Sequence, residues 1–590
     1  MDQRIIAHKF CPIIREDDHY LFVGKPAGLA SRAGTKSRSA SVLDLLKDRD
    51  DAASLVPLYD VNRWQSGVLA YAKSEAAARH LLTGLETGSA KPVYIAVVQG
   101  KLKPGSQTVT GAIKQVDQDR FAVDRRALGK ELPTTKFDPM DRGETRAVVR
   151  CSPNVLNHHQ VRAHLQSINL RIVGDATYAE RGDRPQPDSA RGGSARKGPG
   201  PALPMMLHLA ELRFHHPAMK RAITVRAKVP PEFADALDRD CAGRPLEGLL
   251  AARLRAALAM RLPCLIDEGT SAFRLLNGRA DGVPGLVVEL YGDVLILQIH
   301  QGKFDAGKMP LRAIADWYRG QLGATAAYVK QFAKDRSRIP QKVSGRVSAK
   351  RPKGDLKKDA LTPLAALSDP HPLVGKAAPD VFAVRENGLR FLVRPYDGYA
   401  VGLFLDHREN RRRVRELSAG GNVLNLFCYT CGFSVAAAAG GAKATVNVDI
   451  ARKCLEWGKE NFKANGLALD DHIFINDDAF NYFKRARRQQ RKFDVVVLDP
   501  PSFARSKKNR RVFTLEKDLQ QLVAGAISLL VPSGVMLVST NHRGTSRKWL
   551  REQIALAAGL QTVSVISTPR LPVDFAGDPD HAKTVIVRIT

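Results

Sequence analysis

From residue 422 onward, short apolar runs alternate with longer amphipathic stretches, the order that a doubly wound sheet requires. Five runs predict its strands: NVLNLF (422–427), ATVNVD (444–449), IFIND (473–477), FDVVVLD (493–499) and VMLVST (535–540), with helices in the gaps. Within FDVVVLD the run VVVL is continuously apolar, as expected of a parallel strand buried on both faces. Two more β-type runs, QTVSVI and TVIVRIT, end the chain and can pair as a terminal hairpin. Two stretches carry no apolar period: 179–204, rich in Gly, Pro, Ser and Arg, and 335–379, with SAKRPKGDLKK at its centre. A softer break at Ala242–Pro245 precedes the helix-forming run LEGLLAARLRAALAMRL. The expected organisation is therefore a domain over 1–240, a small α+β domain over 246–334, a basic insertion over 335–379 and a Rossmann-like α/β domain over 380–590.

Charge narrows the partners. The 590 residues carry 91 Lys and Arg against 60 Asp and Glu, a formal net +31, so a polyanion is expected. Nucleic acid suits better than a membrane surface, because the basic runs ENRRRVRE, KRARRQQRK and KKNRR are scattered instead of forming one amphipathic helix. No stretch reaches 18 uninterrupted apolar residues and the first ten residues lack an apolar core, so a cytoplasmic protein without membrane contact is expected. Seven thinly spread cysteines argue against a disulfide framework, and the C-x-x-C of Cys428 and Cys431 has no second pair nearby, so no metal is expected.

Chemistry concentrates at the strand ends. Asp499 closes the fourth strand and is followed by Pro500, Pro501 and Phe503, which places an acid and an aromatic where open α/β sheets bind ligands. After the first strand comes CYTCGF and then an Ala-rich helix, with Gly432 available for a close backbone approach. One glycine is a poor cradle for a pyrophosphate, so an adenosine ligand without one fits better. Asp449, ending the second strand, stands where an acid can bond ribose hydroxyls. Asp478, after the third, can meet an adenine amino group.

The segments GLFLDHRENRR (402–412), NLFCYTCGF (425–433), DPPSFARSK (499–507), STNHRG (539–544) and LPVDFAGDPDHAKTVIV (571–587) resemble class I S-adenosylmethionine (SAM) dependent methyltransferases, in particular the K half of the bifunctional large-subunit rRNA methyltransferases RlmKL. FRLLNGRADGVPGLVVELYGD resembles the small domain that precedes that catalytic core. The resemblance implies that Phe404, Asp406, Arg408, Asn425, Phe427, Tyr429, Thr430, Gly432, Asp449, Ile450, Asp478 and Ala479 hold SAM. It also implies a partner in 23S rRNA or an assembling large subunit, approached by Phe503, Arg505, Lys507, Arg543, Arg411 and Arg412. Where those enzymes have Ser-Tyr-Thr-Gly, this chain has Cys428-Tyr429-Thr430-Cys431.

The accepting atom follows from what is missing. The sister family RlmI makes 5-methylcytosine with a cysteine that attacks C6, whereas no cysteine follows Cys454 here. Guanine N7 carries an exposed lone pair and no proton, so positioning it about 3 Å from the methyl group suffices. Asp499, Pro500 and Asn541 are the expected catalytic residues: the carboxylate accepts the guanine N1 and N2 hydrogens and the amide offers both a donor and an acceptor. Asn541 also suits a helix cap.

Residues 11–217 resemble RluA-type pseudouridine synthases through IIREDDHYLFVGKPAGL, QSGVLAYAKS, VYIAVVQG, HQVRAHL, IVGDATY and LHLAELRFHHP. The family's catalytic Asp falls on Asn62, and its Thr before Ser-Gly on Gln65, while Tyr94 and Arg162 match pocket positions. An amide cannot do carboxylate chemistry, and Asp60, two residues away, is displaced by about 6–7 Å in an extended segment. The expectation is a degenerate synthase domain that binds RNA beside a guanine-N7 methyltransferase; a methyltransferase for 5-methylcytosine or another rRNA atom, a two-activity enzyme that also makes pseudouridine, and a non-catalytic RNA-binding assembly factor are the alternatives.

Overall fold

The computed structural model describes all residues except 1–8, 33–40, 48, 118–119, 128, 130–131, 158, 179–202, 238–245, 247, 301–309, 333–368, 399, 506–511, 543 and 578–580. The two period-less stretches and the break at Ala242–Pro245 lie wholly or largely outside the described residues. Packing divides the chain into two units: Met1–Asp267 with Leu275–Val287 and Gly302–Gly323, and Glu268–Arg274 with Val288–Gln301 and Ala324–Thr590. The expected small domain is thus shared, with its helices Gly248–Met260 and Leu311–Leu322 grouped with the first unit. Among the described residues, no helix is long and apolar enough to cross a membrane, and no group of His, Cys, Asp or Glu is placed to hold a metal ion.

The first unit is built on a large mixed sheet. Its central strands Tyr20–Lys25, Ser66–Ala72, Leu207–His216, Lys91–Gln99 and Arg146–Pro153 pair in that order. Ser66–Ala72 (SGVLAYA) is buried throughout, which explains its unbroken apolar character. The helix Glu75–Thr87 is capped by Ser74, whose side chain accepts from the Ala77 amide, and it stops at Gly88 in the left-handed region. Phe22, Leu81, Phe137, Leu209 and Phe214 share one core cluster with these strands.

The second unit holds a seven-stranded sheet. We label its strands β1 (Asn422–Leu426), β2 (Ala444–Asp449), β3 (His472–Asn476), β4 (Phe493–Leu498), β5 (Leu530–Thr540), β6 (Val563–Ser567) and β7 (Lys583–Ile589). They pair in the order β3-β2-β1-β4-β5-β7-β6, with only β7 antiparallel to its neighbours. The two terminal runs do pair with each other, but β7 also inserts against β5, so they extend the main sheet. The order reverses between β1 and β4, which opens a crevice beyond their carboxyl ends. Helices α1 (Arg408–Leu417), α2 (Gly432–Ala439), α3 (Arg452–Ala464), α4 (Ala479–Arg488), α5 (Leu515–Ile527) and α6 (Arg547–Ala558) cover the sheet. After Pro501 the backbone forms a short antiparallel hairpin, Phe503–Arg505 with Val512–Thr514.

Candidate active site

A cavity of about 290 Å³ lies at the carboxyl ends of β1 to β5, lined among others by Phe404, Asp406, His407, Tyr429, Asp449, Asp478, Asp499 and Asn541. One wall is the turn after β1. Phe427, Tyr429 and Cys431 all have positive φ (58°, 49° and 60°), a conformation that costs a non-glycine residue of order 1 kcal/mol or more. Side chains hold the turn in place. The Tyr429 amide donates to Asp449 Oδ2 (2.9 Å), Thr430 Oγ1 to the Gly402 carbonyl (2.6 Å), and Asn461 Nδ2 to the Thr430 carbonyl (2.9 Å). The bend expected at Gly432 therefore falls at Cys431; Gly432 opens α2, and a Cβ there would meet Arg411 Cδ at an ordinary 3.4 Å. Cys428 and Cys431 are free thiols 3.7 Å apart.

The far wall comes from β2 and β3. Asp449 accepts from the Tyr429 amide through one carboxylate oxygen and from the Ala451 amide (2.8 Å) through the other, which fixes the plane of its carboxyl group. Burial raises its pKa, opposed by these bonds. Asp478 caps α4 by accepting from the Phe480 amide at 2.9 Å. Ile450 and Phe404 also line the cavity and are 53% and 46% exposed. Large apolar side chains left open on a pocket wall suit a planar adenine, which would remove them from water. The residues present thus fit SAM: acids for ribose and adenine, apolar surface for the base, and no glycine-rich pyrophosphate cradle.

Asp499 lies just beyond β4. Its side chain is 24% exposed, and its Oδ2 is 3.3 Å from His407 Nε2. Burial raises its pKa and the neighbouring Asp406 adds to this, while His407 and Arg411 act in the opposite sense. Asn541, just beyond β5, accepts a hydrogen bond from Ser502 Oγ at 3.3 Å. It does not cap the next helix, because Ser546 does so through the Trp549 amide. Pro500 and Pro501 complete this rim.

Several expected residues serve other ends. Arg411, expected to face RNA, is buried: it grips Glu386 through Nε–Oε1 (2.6 Å) and NH2–Oε2 (2.8 Å) and donates to the Phe404 carbonyl, since an arginine this deep needs a carboxylate partner. Arg408, expected at the cofactor, is instead buried against Asp574 and the Ala272 carbonyl. Asn425 is buried between the sheet and α2 and donates to Ser434 Oγ at 2.9 Å, so neither lines the cavity. Arg412 stays exposed but pairs with Glu409 and Glu416 along its own helix. The run KRARRQQRK covers the end of α4 and the turn before β4, at the amino ends of the strands and opposite the cavity, where cations complement the helix dipole. Lys507, Arg543 and KKNRR lie outside the described residues, and for Phe503 and Arg505 only the backbone is described. Reading single residues missed His407, Asp477, Phe480 and Phe513 in the wall. His407 and Asp477 adjoin acids that were singled out; Phe513 gave no local signal and reaches Phe427 (5.9 Å between ring centroids) only through the fold.

In the first unit, Asn62 is exposed and its Oδ1 accepts from the Trp64 amide (2.9 Å). Gln65 is buried and hydrogen-bonds Tyr94. Arg162 is locked to Asp175 by two 2.6 Å bonds and lies over the Tyr178 ring. Lys25 Nζ is buried among the carbonyls of Pro26, Asn62, Arg63 and Gln65, and burial lowers its pKa to about 7. Asp60 points to solvent, paired with Arg32 at 3.3 Å.

Comparison with known proteins agrees with this geometry. The family model of S-adenosylmethionine-dependent methyltransferases matches residues 371–584, and that of RNA pseudouridylate synthases matches 19–167. Ribosomal RNA large subunit methyltransferase K of Neisseria meningitidis is 32% identical over 315 residues, 53% of this chain and 80% of that protein. A ribosomal RNA large subunit methyltransferase of Deinococcus radiodurans is 31% identical over 351 residues, 58% and 78%. Among solved structures, a protein assigned as a methyltransferase and solved with SAH is 26% identical, with a TM-score of 0.49 over 64% of this chain and 87% of that one. With an acid-lined SAM pocket on a 3-2-1-4-5-7-6 sheet and relatives matched over most of their length, the chain belongs to the family of SAM-dependent ribosomal RNA large subunit methyltransferases and carries a pseudouridylate synthase domain ahead of it.

Proposed function

We propose that the protein methylates guanine N7 in 23S rRNA. The observation that carries this reading is a rim of Asp499, Pro500, Pro501 and Asn541 with no cysteine nucleophile: the chain has none after Cys454. Among the described residues Cys428 is the one cysteine in the cavity wall, and burial pushes its thiol far up, so it is no nucleophile for a pyrimidine C6. Bound SAM supplies the methyl group; Asp449, Asp478, Tyr429 and Phe404 hold and orient it. Asp499 offers a carboxylate acceptor to N1–H and N2–H of guanine, and Asn541 a second polar contact. Such contacts fix the base edge, which is what a lone pair without a proton needs.

The N-terminal domain contributes RNA affinity without pseudouridine formation in this reading. Asn62 replaces the family's acid and spends its oxygen on a backbone amide, and Asp60 is held away by Arg32. Nucleoside mass spectrometry of 23S rRNA from a deletion strain tests the proposal. Loss of a 7-methylguanosine is expected; an unchanged level with loss of 5-methylcytosine refutes it.

A further inference from the structure

His407 stands at the end of the short 3₁₀ turn Leu405–His407 that leads into α1, and it is 5% exposed. Its ring packs edge-on against Phe433, with centroids 5.4 Å apart. Nδ1 lies 2.9 Å from Asn410 Nδ2, which also reaches Thr584 Oγ1 at 2.8 Å. An amide NH₂ only donates, so Nδ1 accepts and the ring proton resides on Nε2, the nitrogen that lies 3.3 Å from Asp499 Oδ2. Turning the amide of Asn410 round leaves the same result. Its oxygen would then accept a hydrogen bond from Nδ1–H, and Nε2 would still carry a proton, because a bare nitrogen lone pair against a carboxylate is repulsive.

We infer that His407 is a positioning residue for methyl transfer, holding Asp499 through its Nε2–H as an oriented, ionised acceptor for the target base. Ionisation matters because of the charge balance of the reaction. The ring-nitrogen lone pair forms the new N–CH₃ bond, the S–CH₃ electron pair stays on sulfur, and the positive charge passes from the sulfonium to the base. A carboxylate on the base edge binds that developing cation more strongly than it binds the neutral base, whereas a protonated carboxyl does not. The charged groups acting on Asp499 are His407, Asp406 and Arg411; Asp406 is in turn faced by His581 and Arg274, and Arg411 is engaged by Glu386. Of these, His407 is the one with an N–H within reach of the carboxylate.

The identity of the base rests on the guanine-N7 reading, but the ionisation of Asp499 can be measured without RNA. Infrared difference spectra between the full-length protein and its Asp499→Asn variant isolate the carboxyl band of Asp499 across a pH series. In His407→Ala, titration of that band should move up by about one pH unit. His407→Gln, which keeps an N–H donor and more of the side-chain volume, should move it back toward the wild-type position. The acid limb of methyl incorporation into a 23S rRNA transcript, read as total label, should follow in the same order. A band that titrates at the same pH in all three proteins overturns the proposal. Should the titration move while the methylated nucleoside is not 7-methylguanosine, the role of His407 stands and the guanine-N7 reading falls.

Discussion

Asp499 and Asn62 mark the two places in this chain where the resembled enzymes carry out chemistry, and their surroundings differ in kind. Asp499 follows a parallel strand that is apolar from Val495 to Leu498, and its carboxylate lines a cavity with His407 Nε2, from another element, 3.3 Å from its Oδ2. Asn62 sits in an exposed turn, and its oxygen is satisfied two residues on by the Trp64 amide. A carboxylate in a low-dielectric site survives only where other elements hold it, whereas an amide can be absorbed by the nearest backbone donor. Around Asn62 the synthase framework is intact, with Arg162 locked to Asp175 and Lys25 fastening the loop through four carbonyls. The contacts that hold this pocket together thus run through atoms other than the side chain at position 62, so its packing does not depend on an acid there.

The largest expected effect concerns what holds the methyltransferase pocket. Glu386→Ala leaves Arg411 buried without its carboxylate and should cost about 3–5 kcal/mol, seen as earlier urea unfolding of this unit by hydrogen exchange. Next comes the reactive rim. Asp499→Ala should lower methyl transfer by about 10²–10³-fold while SAM affinity stays within a few-fold; a loss shared by both would make Asp499 a cofactor ligand instead. Asp449→Ala should do the reverse and weaken SAM by about 1–3 kcal/mol in calorimetry, since a charge-assisted ribose contact is removed. The smallest effect is expected at the other pocket, and it is the one that could dissolve the contrast. Carbodiimide mapping of RNA treated with the wild-type protein should show no new pseudouridine stops, and Asn62→Asp is the single change with a chance of producing them. Stops made by the wild type would mean that another group has replaced the lost acid.

Much of the second unit was legible in order. Strand runs, helix gaps and the acids at 449, 478 and 499 are local patterns, and each depends on periodicity or on a strand end that sequence displays directly. Cysteine absence is likewise a property of the chain alone. Cationic side chains were the least legible: Arg408, Arg411 and Arg412 are near neighbours in one run, yet two are buried in ion pairs and one is exposed. Helical phase separates them, but their partners, Asp574 and Glu386, are 166 and 25 residues away, and only folding brings those carboxylates within reach. The same holds for the run at 484–492: a helix that links two parallel strands returns antiparallel to them, so its last turn and the run after it lie at the amino ends of the strands, opposite the cavity. By itself the sequence determined the strands, the acids at their ends and the missing nucleophiles, because these are properties of a residue and its near neighbours. Tertiary structure alone decided which charges are buried, that Cys431 and not Gly432 takes the left-handed turn, and that His407 faces Asp499, because each depends on atoms distant in the chain meeting at hydrogen-bond range.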